Sequence, residues 1–371
     1  MPVAGASASE GAIHVAPMLA VTDRYFRQLC RLLSTKAVLW TEMVHCDAVK
    51  HNACEVLSYG SELQHPVVVQ LGGADPGSLA VASQVCSDEY AYDEVNLNCG
   101  CPSARVTANQ NSAERCFGAH LMLRPEHTGE CLRRMVEAVD VPVSVKCRLG
   151  VDNCAEYEDL VGFVDAVTAA SGVRHVVVHA RAALLNGIST AANRRVPPLN
   201  YDHVYRLKRE FPHLRVTLNG GIEGIDHARS VLATGAVDGV MLGRAVQRNP
   251  LILSTLDSLL DSDAASGDDV GTKRWSRGVD SSRVGPALEA YQRYVDAQAE
   301  AASSAIAARK VRCKAARHMG ISSVAKAWSR LQAARADGRG DMAPADGDDD
   351  EGDDSVAPQQ CPLTSESLDD K

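Results

Sequence analysis

The chain has 371 residues, enough to bury one large core and a smaller one beside it. No run of about 18 apolar residues occurs, which excludes a membrane-spanning helix, and the opening MPVAGASASEGA has neither the basic nor the apolar segment of a secretory leader. The formal charge of −9 argues against a nucleic-acid partner until it is located: residues 337–371 hold 12 acidic and 2 basic side chains, which leaves the rest of the chain at +1.

Residues 1–12 carry too few apolar side chains to fold and are expected to be disordered. From residue 13, short β-branched or apolar runs alternate with longer amphipathic stretches. The runs are IHVAPML, KAVLWTEMV, PVVVQLGG, YDEVNLNCGCP, VPVSVKCRLG, HVVVHAR, RVTLNGGI and VDGVMLGRA. Their spacing leaves room for one helix after each strand, the βα repeat of parallel sheets. Eight such units over residues 13–255 predict a closed (β/α)8 TIM barrel, with a doubly wound open sheet as the rival. Residues 256–286, rich in Asp, Ser and Gly, read as a low-complexity insertion. Residues 287–336 read as a small helical domain, and residues 337–371, with DGDDDEGDD, as a disordered acidic tail.

In nearly every run the first half is apolar and the last residues carry chemistry: Met18, Gln70, Asn98, Cys101, Lys146, His179, Arg181, Asn219 and Arg244. A barrel gathers these strand ends on one face, so residues more than two hundred positions apart would share one pocket. NGGI at 219–222 and GRA at 243–245 follow the last two strands, where small residues let backbone N–H groups approach a phosphate. Arg244 could add a bidentate charge partner. With Lys146 and Gln70 across the pocket, a flavin mononucleotide (FMN) suits the site better than a sugar phosphate. The plainer reading of Lys146 is an ion pair at the core edge.

The 12 cysteines follow no framework spacing, which favours reduced thiols in a cytoplasmic protein, with an organellar signal upstream of the given start left open. Cys99 and Cys101 stand too close for the usual zinc chelate turn, so no metal site is expected. In NLNCGCPSARV, Gly100 and Pro102 force a turn, which puts Cys101 where a strand ends and a loop begins. Besides the zinc ligand that the Cys99–Cys101 spacing disfavours, a disulfide half and a small buried hydrophobe are the plain readings of that thiol. Cys99 points the other way on an extended chain and reads as packing. Arg309, Lys310, Arg312, Lys314, Arg317, Lys326 and Arg330 crowd one helical stretch, which by itself reads as a solvated face.

APML at 16–19, TEMVHCDAV, VVVQLGG, NLNxGCPSxRV, FGAxLM, VKxRLG, VHAR, NRRVPPL and LNGGI, in this order, resemble the tRNA-dihydrouridine synthases, and most of all their bacterial A-type subfamily. The resemblance runs from about residue 13 to 255 and resumes in ALEAYQRYVDAQ and ARHMGI. It implies an FMN-containing barrel followed by a helical domain that grips tRNA, NADPH as the reductant of the flavin, and a monomer. By motif, Pro17, Met18 and Leu19 would lie along the isoalloxazine, with Gln70 and Lys146 at its polar edge and His179 nearby. Asn219, Gly220, Gly221, Gly243 and Arg244 would hold its phosphate. Cys101 matches the catalytic cysteine, while Asn98, Arg148 and Arg181 would face the substrate base. Arg194, Arg195 and Arg317 would meet tRNA, and the A-type likeness implies uridines 20 and 20a as targets. The chain departs from the family in the longer TANQNSAERC loop, in Cys147 for a histidine, and in Ala182 and Leu184 for a lysine and a tryptophan. Two other functions fit the residues: a flavin barrel acting on a free pyrimidine, and an inactive RNA-binding relative.

Overall fold

The computed structural model describes residues 12–57, 64–103, 116–265 and 279–336. The expected disordered N-terminus, most of the TANQNSAERC loop, the middle of the 256–286 insertion and the acidic tail lie outside the described residues. Two compact units divide the chain after Val279.

The first unit is the barrel. Its strands are β1 (Ile13–Val15), β2 (Leu39–His45), β3 (Val67–Gly72), β4 (Glu94–Cys99), β5 (Val143–Arg148), β6 (His175–His179), β7 (Arg215–Asn219) and β8 (Gly239–Leu242). All pair in parallel in the order β1-β8-β7-β6-β5-β4-β3-β2. The ring closes between β1 and β2, where the Val15 N–H donates to the Val38 carbonyl and the Val38 N–H to that of Ile13, both at 2.9 Å. Closure decides against the open-sheet rival. The helices between strands are α1 (Arg24–Leu33), α2 (Cys46–Val56), α3 (Pro76–Gln84), α4 (Pro125–Ala138), α5 (Tyr157–Ser171), α6 (Tyr201–Glu210) and α7 (Ile225–Ala233), followed by α8 (Arg244–Arg248) and α9 (Leu256–Ala265).

Local chemistry starts and stops these helices. Asp23 accepts from the N–H groups of Tyr25 and Phe26 at the start of α1, and Asp75 caps α3 from Ser78 with Pro76 in its first turn. Gly172, at φ 75°, ends α5 in the left-handed conformation. His45 Nδ1 accepts from the Asp47 N–H at the start of α2, so although His45, Cys46 and Asp47 bring three ligand-type atoms within 4.8 Å, the histidine serves as a cap.

The expectation that the strands begin apolar needs correction for the barrel interior. Strand alternation sends Val95, Leu97 and Cys99, and beside them Val143, Val145 and Cys147, to the outer face, where all are buried. The inward residues of the same strands are Glu94, Asn96 and Asn98, and Ser144, Lys146 and Arg148. Several of them bond to inward side chains of neighbouring strands. Gln70 Nε2 donates to Asn96 Oδ1, and Asn96 Nδ2 to Ser144 Oγ, each at 2.8 Å. The His175 ring meets Glu94 Oε1 at 2.9 Å and Thr217 Oγ1 at 3.0 Å, while Trp40 Nε1 donates to His14 Nδ1. An apolar cluster of Ala16, Val38, Trp40, Val68, Val177 and Met241 shares the interior with this network.

The insertion assigned to residues 256–286 is helical at both ends. Leu256 and Leu259 are buried, and the Asp257 carboxylate accepts from Ser34, Thr35 and Lys36 just past α1. These interactions outweigh the weak helix-forming composition.

The second unit holds α10 (Ser281–Glu300), α11 (Ala305–Met319) and α12 (Ser322–Ala336), packed on one another. It starts earlier than residue 287 because Asp280 caps α10, accepting from the Ser282 N–H, and the helix carries Pro286 in its interior. Val284, Leu288, Tyr291 and Val295 bury one face of α10 at helical spacing.

Candidate functional site

A cavity of about 970 Å³ opens at the C-terminal ends of the strands. One wall comes from the segment after β1. The Ala16 N–H donates to the Leu242 carbonyl at 2.8 Å, and the Met18 N–H to Thr22 Oγ1 at 3.0 Å, so Pro17, Met18 and Leu19 are laid across the mouth by a fixed turn. Leu19 is 74% exposed there.

The opposite wall carries Cys101, which the structure records as a free thiol. Its turn is tied down at every peptide group. Asn98 Oδ1 accepts from the N–H groups of Gly100 and Cys101, both at 3.0 Å, and the Cys101 carbonyl accepts from the Ala119 N–H. Asn98 Nδ2 in turn donates to Gln70 Oε1 at 2.7 Å. The carboxamide expected to face a base is thus also the clamp that shapes the turn. Cys99, one residue before Gly100, is fully buried, and desolvation pushes its thiol well above the ordinary range.

Between the walls lies a cationic floor. Lys146 Nζ donates to Asn219 Oδ1 at 3.1 Å, and burial, with Arg148 adding to it, brings the lysine down to about 8. His179 is driven well below its usual range by burial first, and then by Arg148, Lys146, Arg181 and Arg244 around it. Burial lowers Arg148 to about 10. Against Lys146, Arg148, Arg181, Arg194, Arg244 and Arg248, the one acidic side chain lining the cavity among the described residues is Glu223. A pocket so charged suits an anionic ligand.

The glycine loop supplies the matching shape. Gly220 and Gly221 have φ of 113° and 69°. A Cβ on Gly220 would meet His179 Cδ2 at 2.7 Å, and one on Gly221 would overlap Leu199 Cδ1. Tyr201 Oη donates to the Gly220 carbonyl at 2.6 Å and Asn219 Nδ2 to that of Met241, which fixes the loop. Gly243 and Arg244 face it from β8. This cradle, bare of side chains and beside an arginine, fits a phosphate group.

Of the sequence-predicted residues, the cavity brings together Pro17, Met18, Leu19, Gln70, Asn98, Cys101, Lys146, Arg148, His179, Arg181, Arg194, Asn219, Gly220, Gly221, Gly243 and Arg244. Arg195 is not among its lining residues and is exposed; its carbonyl accepts from Arg181. Arg317 belongs to α11 of the second unit, where it is exposed. Sequence reasoning passes over Met43, Phe117, Thr190, Leu199, Glu223 and Gln247, which also line the cavity. Met43, Phe117 and Leu199 carry a signal, standing inside the TEMVHCDAV, FGAxLM and NRRVPPL stretches; Thr190, Glu223 and Gln247 carry none.

Comparison with known proteins agrees in direction. The family model described as dihydrouridine synthase (Dus) matches residues 14–328. A tRNA-dihydrouridine(20/20a) synthase of Xanthomonas campestris pv. campestris is 44% identical over 300 residues, covering 80% of this chain and 81% of that protein. Proteins of the same name from Shewanella oneidensis and Escherichia coli K12 are 46% and 43% identical, covering 66% and 71% of this chain and 70% and 74% of their own lengths.

Proposed function

This chain belongs to the dihydrouridine synthase family, and on that premise we propose that it is an FMN-dependent oxidoreductase reducing the 5,6 double bond of uridines 20 and 20a in the D-loop of tRNA, with NADPH as the electron source. The observation that carries the reading is the Cys101 turn, locked by Asn98 and Ala119 on one wall of a cavity whose other wall is a bare glycine cradle beside Arg244.

Gly220, Gly221, Gly243 and Arg244 would hold the phosphate of FMN, with Pro17, Met18 and Leu19 along its ring system and Gln70, Lys146 and His179 at its polar edge. Bound there, reduced FMN supplies a hydride for C6 of the uracil ring. Cys101 Sγ gives its proton to C5 on the opposite face, so the double bond gains one hydride and one proton and the sulfur is left as thiolate. Lys146, Arg148 and Arg194 all lie close enough to Cys101 to interact with it electrostatically. The target uridine must leave its stack to reach this depth, and arginines at the mouth would hold the displaced backbone.

Incubating flavin-loaded protein with unmodified tRNA and NADPH, and quantifying dihydrouridine by position, tests the reading. Dihydrouridine at 20 and 20a is the expected product. Turnover of free uracil with unmodified tRNA left untouched would give the site to a small pyrimidine instead.

A further inference from the structure

We propose that Arg148 is a positioning residue for Cys101: its guanidinium fastens the Gly100 carbonyl to the loop carrying Arg194 and Arg195, so that loop and thiol are set together. The proposal rests on the reading of Cys101 as proton donor.

Each peptide group around the thiol has an anchor. The N–H groups of Gly100 and Cys101 go to Asn98, and the Cys101 carbonyl goes to Ala119. The Gly100 carbonyl goes to Arg148 Nε at 3.1 Å. The same guanidinium reaches away from the turn through Nη1, which donates to the carbonyls of Ala182 at 3.2 Å and Asn193 at 3.1 Å. Asn193 is itself the clasp of its loop. Its Oδ1 accepts from the Leu184 N–H at 2.8 Å, its Nδ2 donates to the Leu184 carbonyl at 2.7 Å, and its side chain is fully buried. Arg194 follows directly in sequence. One rigid fork therefore spans the end of β4 and the loop after β6.

The partners decide the role. Arg148 is 4% exposed and its three acceptors are all main-chain carbonyls. Such a set neutralises no charge but fixes three backbone positions relative to one another, and it needs the planar, multi-donor geometry that arginine has and lysine lacks. A shift of about 1 Å in a reacting group costs on the order of 100-fold in rate, so the fork has leverage on proton transfer through the position of the thiol.

Arg148→Lys in the flavin-loaded enzyme is the test, with Cys101 alkylation by iodoacetamide read by mass spectrometry beside tRNA affinity and single-turnover uridine reduction. We expect reduction to slow by roughly 100-fold, tRNA affinity to change by less than about threefold because the hydrogen bonds broken are internal to the protein, and the alkylation rate at Cys101 to change. Rate and affinity falling in parallel would make Arg148 a substrate-binding group, and an unchanged alkylation rate would mean the turn does not depend on it; either result overturns the proposal. Should the variant fail to bind flavin, Asn193→Ala leaves Arg148 in place and frees only the loop. Altered Cys101 alkylation there supports the coupling, and unaltered alkylation refutes it. Activity retained by Cys101→Ala would sink the proton-donor reading alone, because the alkylation readout does not use the reaction.

Discussion

Lys146 Nζ reaches Asn219 Oδ1 at 3.1 Å, from β5 to β7, passing over β6 between them. A closed barrel favours a bond that skips a strand, because its inward side chains meet near the axis. The lysine is held there by an amide, which leaves its charge without a neutralising partner in that bond.

That arrangement sets a pH dependence. With the folded value near 8 and the unfolded one at 10.5, the unfolded chain binds more protons between those limits, so stability of flavin-free protein rises with pH across that window. Lys146→Met removes the contribution. Thermal melts of both proteins from pH 7 to 10.5 should show wild type gaining on the variant as pH rises, by on the order of 2–3 kcal/mol in total. Parallel curves would show that Lys146 is not desolvated.

Cys101→Ala should keep its flavin, since the thiol faces the cavity from the wall opposite the glycine cradle, and should lose about 10²- to 10⁴-fold in dihydrouridine formation, the range of general acid catalysis. Cys99→Ala is the paired control, expected to be active and slightly less stable because Cys99 is fully buried. Activity surviving in the first variant, or vanishing in the second, would exchange their roles.

The cradle is tested at Gly220. At φ 113° an alanine is strained whatever the space, and its Cβ would also press on the His179 ring. Gly220→Ala should release flavin on dialysis. Arg244→Ala should do so more mildly, losing about 1.5–3 kcal/mol of a charge-assisted interaction, or roughly 10- to 100-fold in affinity. Full yellow colour retained by both after dialysis would place the phosphate elsewhere.

The eight strands are legible in the sequence because β-branched runs such as VVVQLG and HVVVH have no helical periodicity, and the strand-end polar residues mark the functional face. The polar interior is harder to see. Glu94, Asn96 and Ser144 alternate with apolar residues as on any strand with one wet face, and only closure shows that the polar face points inward, where Glu94 finds His175. Thr190 sits on a long connection whose path no local pattern dictates, so its place in the cavity cannot be read from residue order. The motif around Arg148 says only that it is near the substrate; its three carbonyl partners come from segments 34 to 48 positions away.

The remaining prediction concerns α11, where Arg312, Lys314 and Arg317 are exposed on a compact unit of their own. If this face meets tRNA, affinity there is carried by phosphate pairing and falls with salt, each pairing adding about 0.7–0.9 to the logarithmic slope. Replacing all three by glutamate removes up to three such pairings and adds repulsion. Binding at low salt should drop by more than about 100-fold and the salt slope should flatten by roughly two, while flavin content stays the same because the cradle is built from β7 and β8. Titrating tRNA at two salt concentrations separates the outcomes: a weakened affinity with an unchanged slope would point to misfolded helices, and normal binding would move the RNA surface off α11.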